Sequence, residues 1–161
     1  MSTNVGFKRV SARAIIIKDR NLLTFLRRVK PVGSHEVLTY YSIPGGAVER
    51  GESIDEAVRR ELKEELSLDI ELGPEVAELT SHGTTHHFFL AGIIGGSEPV
   101  FNPDSPESIH MDENNSYEIA WIPVGSLTEE MFHWGFELLV PLLKQIGNGK
   151  IPETKAVLTE S

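Results

Sequence analysis

Apolar and β-branched residues dominate positions 10–17 and 22–26, and the turn-rich Lys18-Asp19-Arg20-Asn21 between them predicts a hairpin. Residues 37–43 predict another strand, stopped by Pro44-Gly45-Gly46. Helical periodicity then covers residues 53–66, and short strands are predicted near 68–72, 76–81 and 85–94. The stretch 95–116 is polar, contains Pro99, Pro103 and Pro106, and reads as a long loop. A final strand is expected at 119–122 and a closing helix at 129–146, broken at Pro141. The polar tail after about residue 147 is expected to fray. No repeat or linker interrupts this order, so it predicts one domain over 1–161, of α+β class with a mixed sheet and few helices.

The helix at 53–66 breaks the usual placement of charge. Ser53 followed by Glu56 has the capping-box spacing and sets the helix start. With Ile54 at zero on a helical wheel, Val58 and Leu62 define an apolar stripe, yet Glu61 falls at about −20° and Glu65 at about +20°, inside it. Glu64 sits at the stripe's edge, at about −80°. A buried, unpaired carboxylate costs several kcal/mol, and two of them one turn apart repel each other. Arginine partners would answer that, and so would a hard divalent cation held by oxygen ligands.

Composition narrows the partners. With 24 acidic and 15 basic residues the formal charge is −9, which disfavours nucleic-acid polymers and anionic membranes as partners. A small phosphorylated substrate stays open, because bound cations reverse the potential locally. No apolar run is long enough to cross a bilayer. The chain has no cysteine, which suits a reducing compartment, and its start lacks the apolar stretch of a signal peptide. The expected location is cytoplasmic.

The loop before the helix, Ile43-Pro44-Gly45-Gly46-Ala47-Val48-Glu49-Arg50-Gly51-Glu52, extends the pattern. Gly46, then Glu52 after five residues, then Arg60-Glu61-Leu62-Lys63-Glu64-Glu65 after seven, and Leu68 resemble the signature of the Nudix hydrolases, G-x5-E-x7-R-E-U-x-E-E-x-G-U with U a bulky aliphatic residue. Ser67 stands where that family usually has glycine, a departure that concerns the turn after the helix rather than the charged positions.

The resemblance implies an α/β/α sandwich, with a mixed β-sheet between helices. It also implies attack of water on a nucleoside diphosphate linked to another group X: a nucleoside triphosphate, a damaged nucleotide or a nucleotide sugar. By position, Glu61, Glu64 and Glu65 would be metal ligands for Mg²⁺ or Mn²⁺, joined by the Gly46 carbonyl. Arg60 would hold a glutamate in place, with Glu52 beside it, and Glu61, Glu113 and Glu118 are alternative general bases. A homodimer is weakly implied. The alternative is a module that binds a nucleotide without cleaving it.

Outside the signature, Arg28 is a candidate phosphate contact and Tyr41 a candidate base-stacking residue, although an aromatic in a strand more often packs. Glu118 completes the candidate substrate residues. His86 and His87 are adjacent in a predicted strand and therefore point to opposite faces, and His82 lies too far along it to share a zinc ion with both. His35, His110 and His133 carry no spacing signal.

Overall fold

The apolar run near the N-terminus divides between two sheets. The computed structural model describes residues 9–105, 111–112 and 114–160. Its strands are β1 (Arg9–Ile15), β2 (Ile17–Lys18), β3 (Asn21–Val29), β4 (Leu38–Ser42), β5 (Gly45–Ala47), β6 (Ile70–Ser81), β7 (Thr84–Ile93), β8 (Asn115–Pro123) and β9 (Ala156–Thr159). Its α-helices are α1 (Ile54–Leu66) and α2 (Val140–Gly147).

The hairpin expected over 10–26 is confined to β2 and β3, which turn at Asp19 and Arg20 with φ of 51° and 63°, the left-handed pair of a tight hairpin turn. β1 instead pairs antiparallel with β5 and parallel with β7. The reason is burial on both faces: Ala12 and Ala14 on one side and Ile15 on the other are wholly covered, as befits an interior strand.

One sheet runs β5-β1-β7-β6-β9 and mixes parallel with antiparallel pairs. In the other, β3 lies between β8 on one edge and β2 with β4 on the other. The two strands expected at 68–72 and 76–81 are one strand, β6, whose register shifts between Leu72 and Ala77, around Gly73-Pro74. Proline donates no ladder hydrogen bond, so the pairing slips there without ending.

The closing helix is shorter than predicted. Two 3-10 turns, Glu129–Met131 and Phe136–Leu139, precede α2, and Pro141 lies in the first turn of α2, where a missing N–H is tolerated. Pro141 therefore opens the helix instead of breaking it. The tail also departs from expectation: β9 pairs its residues 156–159 with 77–80 of β6.

Two cores flank the sheets. Under α1, the buried Ala57, Val58, Leu62 and Leu66 meet Ala12, Leu23 and Phe89. On the opposite side Phe136, Leu139 and Leu143 cover Ile15, Val76 and Phe88. Each fully buried leucine or phenylalanine contributes about 1.5–3 kcal/mol. The result is the expected α+β sandwich of sheet between helical layers.

Candidate active site

The helix carrying the acidic residues starts and stops on local signals. Ser53 Oγ accepts from the Glu56 N–H at 3.1 Å, and the Glu56 carboxylate accepts from the Ser53 N–H at 3.3 Å, closing the capping box. At the other end Ser67 adopts φ 57°, ψ 30°; its N–H donates to the Lys63 carbonyl and that of Leu68 to the Leu62 carbonyl. This is the left-handed ending in which glycine is favoured, and here serine bears it.

The glycines before the helix are not a flexible connection but a strand, β5, squeezed between β1 and α1. Gly45 has φ 144°, and a Cβ there would strike the Ala12 carbonyl oxygen and lie 2.6 Å from Arg13 Cα. A Cβ on Gly46 would lie 2.6 Å from Glu61 Cδ and 2.7 and 2.8 Å from its oxygens. Two successive glycines thus allow the backbone to press on β1 on one side and on a carboxylate on the other.

Arg60 gathers the neighbouring acids. Its Nε and Nη2 donate to the two oxygens of Glu52 at 2.7 and 3.0 Å, a bidentate fork. Nη1 donates to Glu61 at 3.1 Å and to Glu64 at 3.2 Å, and Nη2 also reaches the Ala47 carbonyl at 3.0 Å. The hydrogen bond from Arg60 holds the Glu52 carboxyl below its ordinary pKa, and the Glu52 partner raises that of Arg60 against the opposing effect of burial. Along α1 the Glu65 residue is 4% exposed and the Glu61 side chain 12%, whereas the Glu64 side chain is 51% exposed. The donor set is all oxygen, and the missing Cβ at Gly46 brings a backbone strand directly over the Glu61 carboxylate, so these residues fit a hard divalent cation.

Of these acids Glu61 and Glu65 line a cleft of about 410 Å³, together with Arg13, Arg27, Tyr40 and Tyr117. Arg27 donates from Nη1 to Asn115 Oδ1 at 2.7 Å, its guanidinium carbon lies 3.7 Å from the centre of the Tyr117 ring, and Nε reaches the Tyr40 hydroxyl at 3.4 Å. Arg13 donates to the Ile43 carbonyl at 2.7 Å. Burial lowers the Arg13 pKa, and Glu65 and Glu61 act against that shift. Beside it, Ser11 Oγ and His86 Nδ1 are 2.6 Å apart. Burial foremost, then the charges of Arg13 and His87, lower the His86 pKa to about 4.

The candidate substrate residues outside the signature do not line this cleft. Cross-strand pairing puts Arg27 opposite Tyr40 and Tyr117, all lining the cleft. Arg28, Tyr41 and Glu118 are each one position on, and so lie on the sheet's other face. Arg28 and Glu118 are exposed, and Tyr41 packs partly against the core under α2 while also lining a hollow next to the cleft. Glu113 lies outside the described residues. Arg13 and Arg27, which line the cleft, were not singled out from the sequence, although a single arginine inside the apolar run 10–17 is a signal that the strand carries a charge in need of partners.

His86 and His87 do take opposite faces. His87 joins Glu75 and Glu78, the one group of metal-ligand type among the described residues whose donor atoms all lie within 4.8 Å of one another. Lys155 Nζ donates to Glu75 at 3.2 Å and to Glu78 at 3.3 Å, so a lysine already supplies the positive charge there. The carboxylates of α1 do not converge in this way; Glu61 and Glu64 turn to Arg60.

Comparison with known proteins agrees with this geometry. The NUDIX domain family model matches residues 7–142. An ADP-ribose pyrophosphatase of Methanocaldococcus jannaschii is 30% identical over 118 residues, which are 70% of this chain and 66% of that protein. The crystal structure of an ADP-ribose pyrophosphatase from Streptococcus suis superimposes with a TM-score of 0.59 at 20% identity, covering 95% of this chain and 99% of that one. A NUDIX hydrolase from Nitrosomonas europaea gives 0.68 at 13% identity, covering 95% and 80%. At such identities the two structures speak for the fold. With the acids, the arginine and Gly46 in the signature's positions and the family model spanning most of the residues, this chain belongs to the Nudix hydrolase family.

Proposed function

We propose that the cleft binds a nucleoside diphosphate linked to a group X and that water cleaves the diphosphate there, with Glu61, Glu64, Glu65 and the Gly46 carbonyl holding Mg²⁺ or Mn²⁺. The observation that carries this reading is the fit of Gly46 against Glu61, whose carboxylate occupies the space beside the strand backbone that a Cβ would fill. When bound, the cation neutralises phosphate charge and makes a coordinated water more acidic. The protein's own groups do the positioning. Arg60, fixed by the fork to Glu52, orients Glu61 and Glu64. Arg13 and Arg27 lie where phosphate oxygens would enter, and Arg27 suits a planar contact with them. Of the candidate bases Glu61 lies in the cleft, whereas Glu118 faces away from it. The name of the archaeal relative makes ADP-ribose the first substrate to test, and a cytoplasmic location suits such nucleotides.

A hydrolysis screen in Mg²⁺ over ADP-ribose, nucleoside triphosphates and nucleotide sugars tests the reading. Glu64→Gln and Glu65→Gln are expected to abolish turnover while the protein still melts cooperatively. Most of the activity surviving in both variants would remove the metal-ligand assignment. Tight nucleotide binding with no product in Mg²⁺ or Mn²⁺ would turn the reading to a binding module.

A further inference from the structure

Arg13, Tyr40 and Ser42 are shared between the cleft and a second hollow of about 160 Å³, which Tyr41 also lines and whose further wall is His133, Trp134 and Phe136. Trp134 is held there against steric preference. Its φ of 57° is left-handed, an outlier for a bulky aromatic residue. Buried Ser81 donates its hydroxyl to the Trp134 carbonyl at 2.6 Å. The next residue, Gly135, has φ 90°, and a Cβ there would lie 2.9 Å from Ser81 Oγ. The end of β6 thus fixes the turn from beneath.

Core packing does not account for that conformation, because Trp134 is 48% exposed. Strained positions of this kind cluster at ligand sites. The Trp134 and Tyr40 rings meet edge to face, 4.6 Å apart at 86°, in a right-angled corner that His133 joins edge-on to both. From this corner the Tyr40 hydroxyl meets Arg27, and beyond Arg13 and Arg27 lie Glu61 and Glu65. Aromatic faces, then cations, then acids follow one another along a single depression.

We propose that this corner takes the planar base of the substrate, with Trp134 as the stacking face and Tyr40 as the perpendicular wall, while the diphosphate runs past Arg13 and Arg27 to Glu61 and Glu65. The proposal rests on the cleft being a nucleoside diphosphate site and names the part of the substrate that its aromatic end selects. Stacking is tolerant of which base is present, since every base has a π face. The corner therefore selects nucleotides over diphosphates that lack a ring, and discriminates weakly among bases.

Calorimetric titration with ADP and with pyrophosphate, in Mg²⁺, tests this on the wild type, Trp134→Ala, Trp134→Phe and Tyr40→Ala. Trp134→Ala is expected to weaken ADP by about 5- to 150-fold, the range found for loss of one stacked base, and to leave pyrophosphate unchanged. Trp134→Phe restores most of the ADP affinity, and Tyr40→Ala, which removes the wall together with the hydroxyl that meets Arg27, weakens ADP more than pyrophosphate without touching the strained turn. Equal losses for both probes, an unchanged ADP affinity in Trp134→Ala, or no ADP binding to the wild type at millimolar concentration overturns the proposal. Trp134-dependent ADP binding with no nucleotide hydrolysed overturns the hydrolytic reading and leaves the base subsite standing.

Discussion

Replacing Gly46 by alanine isolates the contact between β5 and α1. The new methyl carbon would stand 2.6 Å from Glu61 Cδ and within 2.8 Å of both carboxylate oxygens, against the separation of about 3.5 Å at which such atoms attract. Something must move by nearly 1 Å or about that. The Gly46 backbone is paired with Ala12 in the sheet, so the movable part is the end of the Glu61 side chain. A misplacement of about 1 Å in a reacting group costs about 100-fold in rate, or about 2.7 kcal/mol of transition-state stabilisation. Stability should fall far less, by about 1 kcal/mol, the low end for overpacking, because a side-chain terminus can yield. Gly45→Ala supplies the contrast. Its Cβ meets backbone of β1 at a φ of 144°, neither of which can adjust, and a loss of about 3 kcal/mol or more is expected. Initial rates of nucleotide hydrolysis in Mg²⁺ and urea unfolding midpoints on both variants decide the matter. Wild-type turnover in Gly46→Ala would refute the claim that the glycine exists to place Glu61. Unfolding of Gly46→Ala as easily as Gly45→Ala would show the contact to be structural.

Other outcomes follow from single features. Ser67→Gly should stabilise the protein by about 0.5–1 kcal/mol, since the left-handed cap penalises serine by about 1–2 kcal/mol and glycine's greater freedom when unfolded returns part of that; melting temperature checks it, and a decrease would contradict it. His86 has a folded pKa lowered to about 4, so the unfolded chain binds more protons between there and about 6.5, and stability should rise with pH through that window. Urea midpoints at about pH 4.5 and about pH 7 should differ less in His86→Gln than in the wild type. Arg60→Lys cannot form the fork to Glu52, so turnover should drop by at least about 10-fold. The Glu52 carboxyl should also titrate higher in that variant, as followed by NMR.

The acidic helix was the most legible part of the chain because its signals are local. Ser53 and Glu56 mark its start, and a rigid period of about 100° per residue carries Glu61 and Glu65 to the buried face. The strand residues that line the cleft were not singled out, for the opposite reason. Along a strand one step reverses the face, so Arg28 lies across the sheet from the cleft that Arg27 lines, and Tyr41, next to Tyr40, turns to the core and reaches only the adjoining hollow. Which face lines the cleft depends on where α1 docks, and that is a tertiary fact. β5 and β9 were missed for a related reason: three residues containing two glycines, and four following a polar stretch, become strands only because β1 and β6 offer edges to pair with. Trp134 carried no periodic signal at all; its place depends on Ser81, 53 residues away in sequence.

The returning strand β9 has a practical meaning for where the folding unit ends. The family match stops at residue 142, inside α2, yet the sheet is completed only when residues 156–159 cover the edge of β6. A version trimmed to the matched region would leave the β6 backbone at 77–80 open, a row of free N–H and C=O groups able to recruit another chain. It would also strip Lys155 from Glu75 and Glu78, leaving two close carboxylates without their lysine. Precipitation of such a fragment would reflect an uncovered edge and say nothing about the chemistry in the cleft. A handle for purification is better placed beyond Thr159, with the strand kept whole.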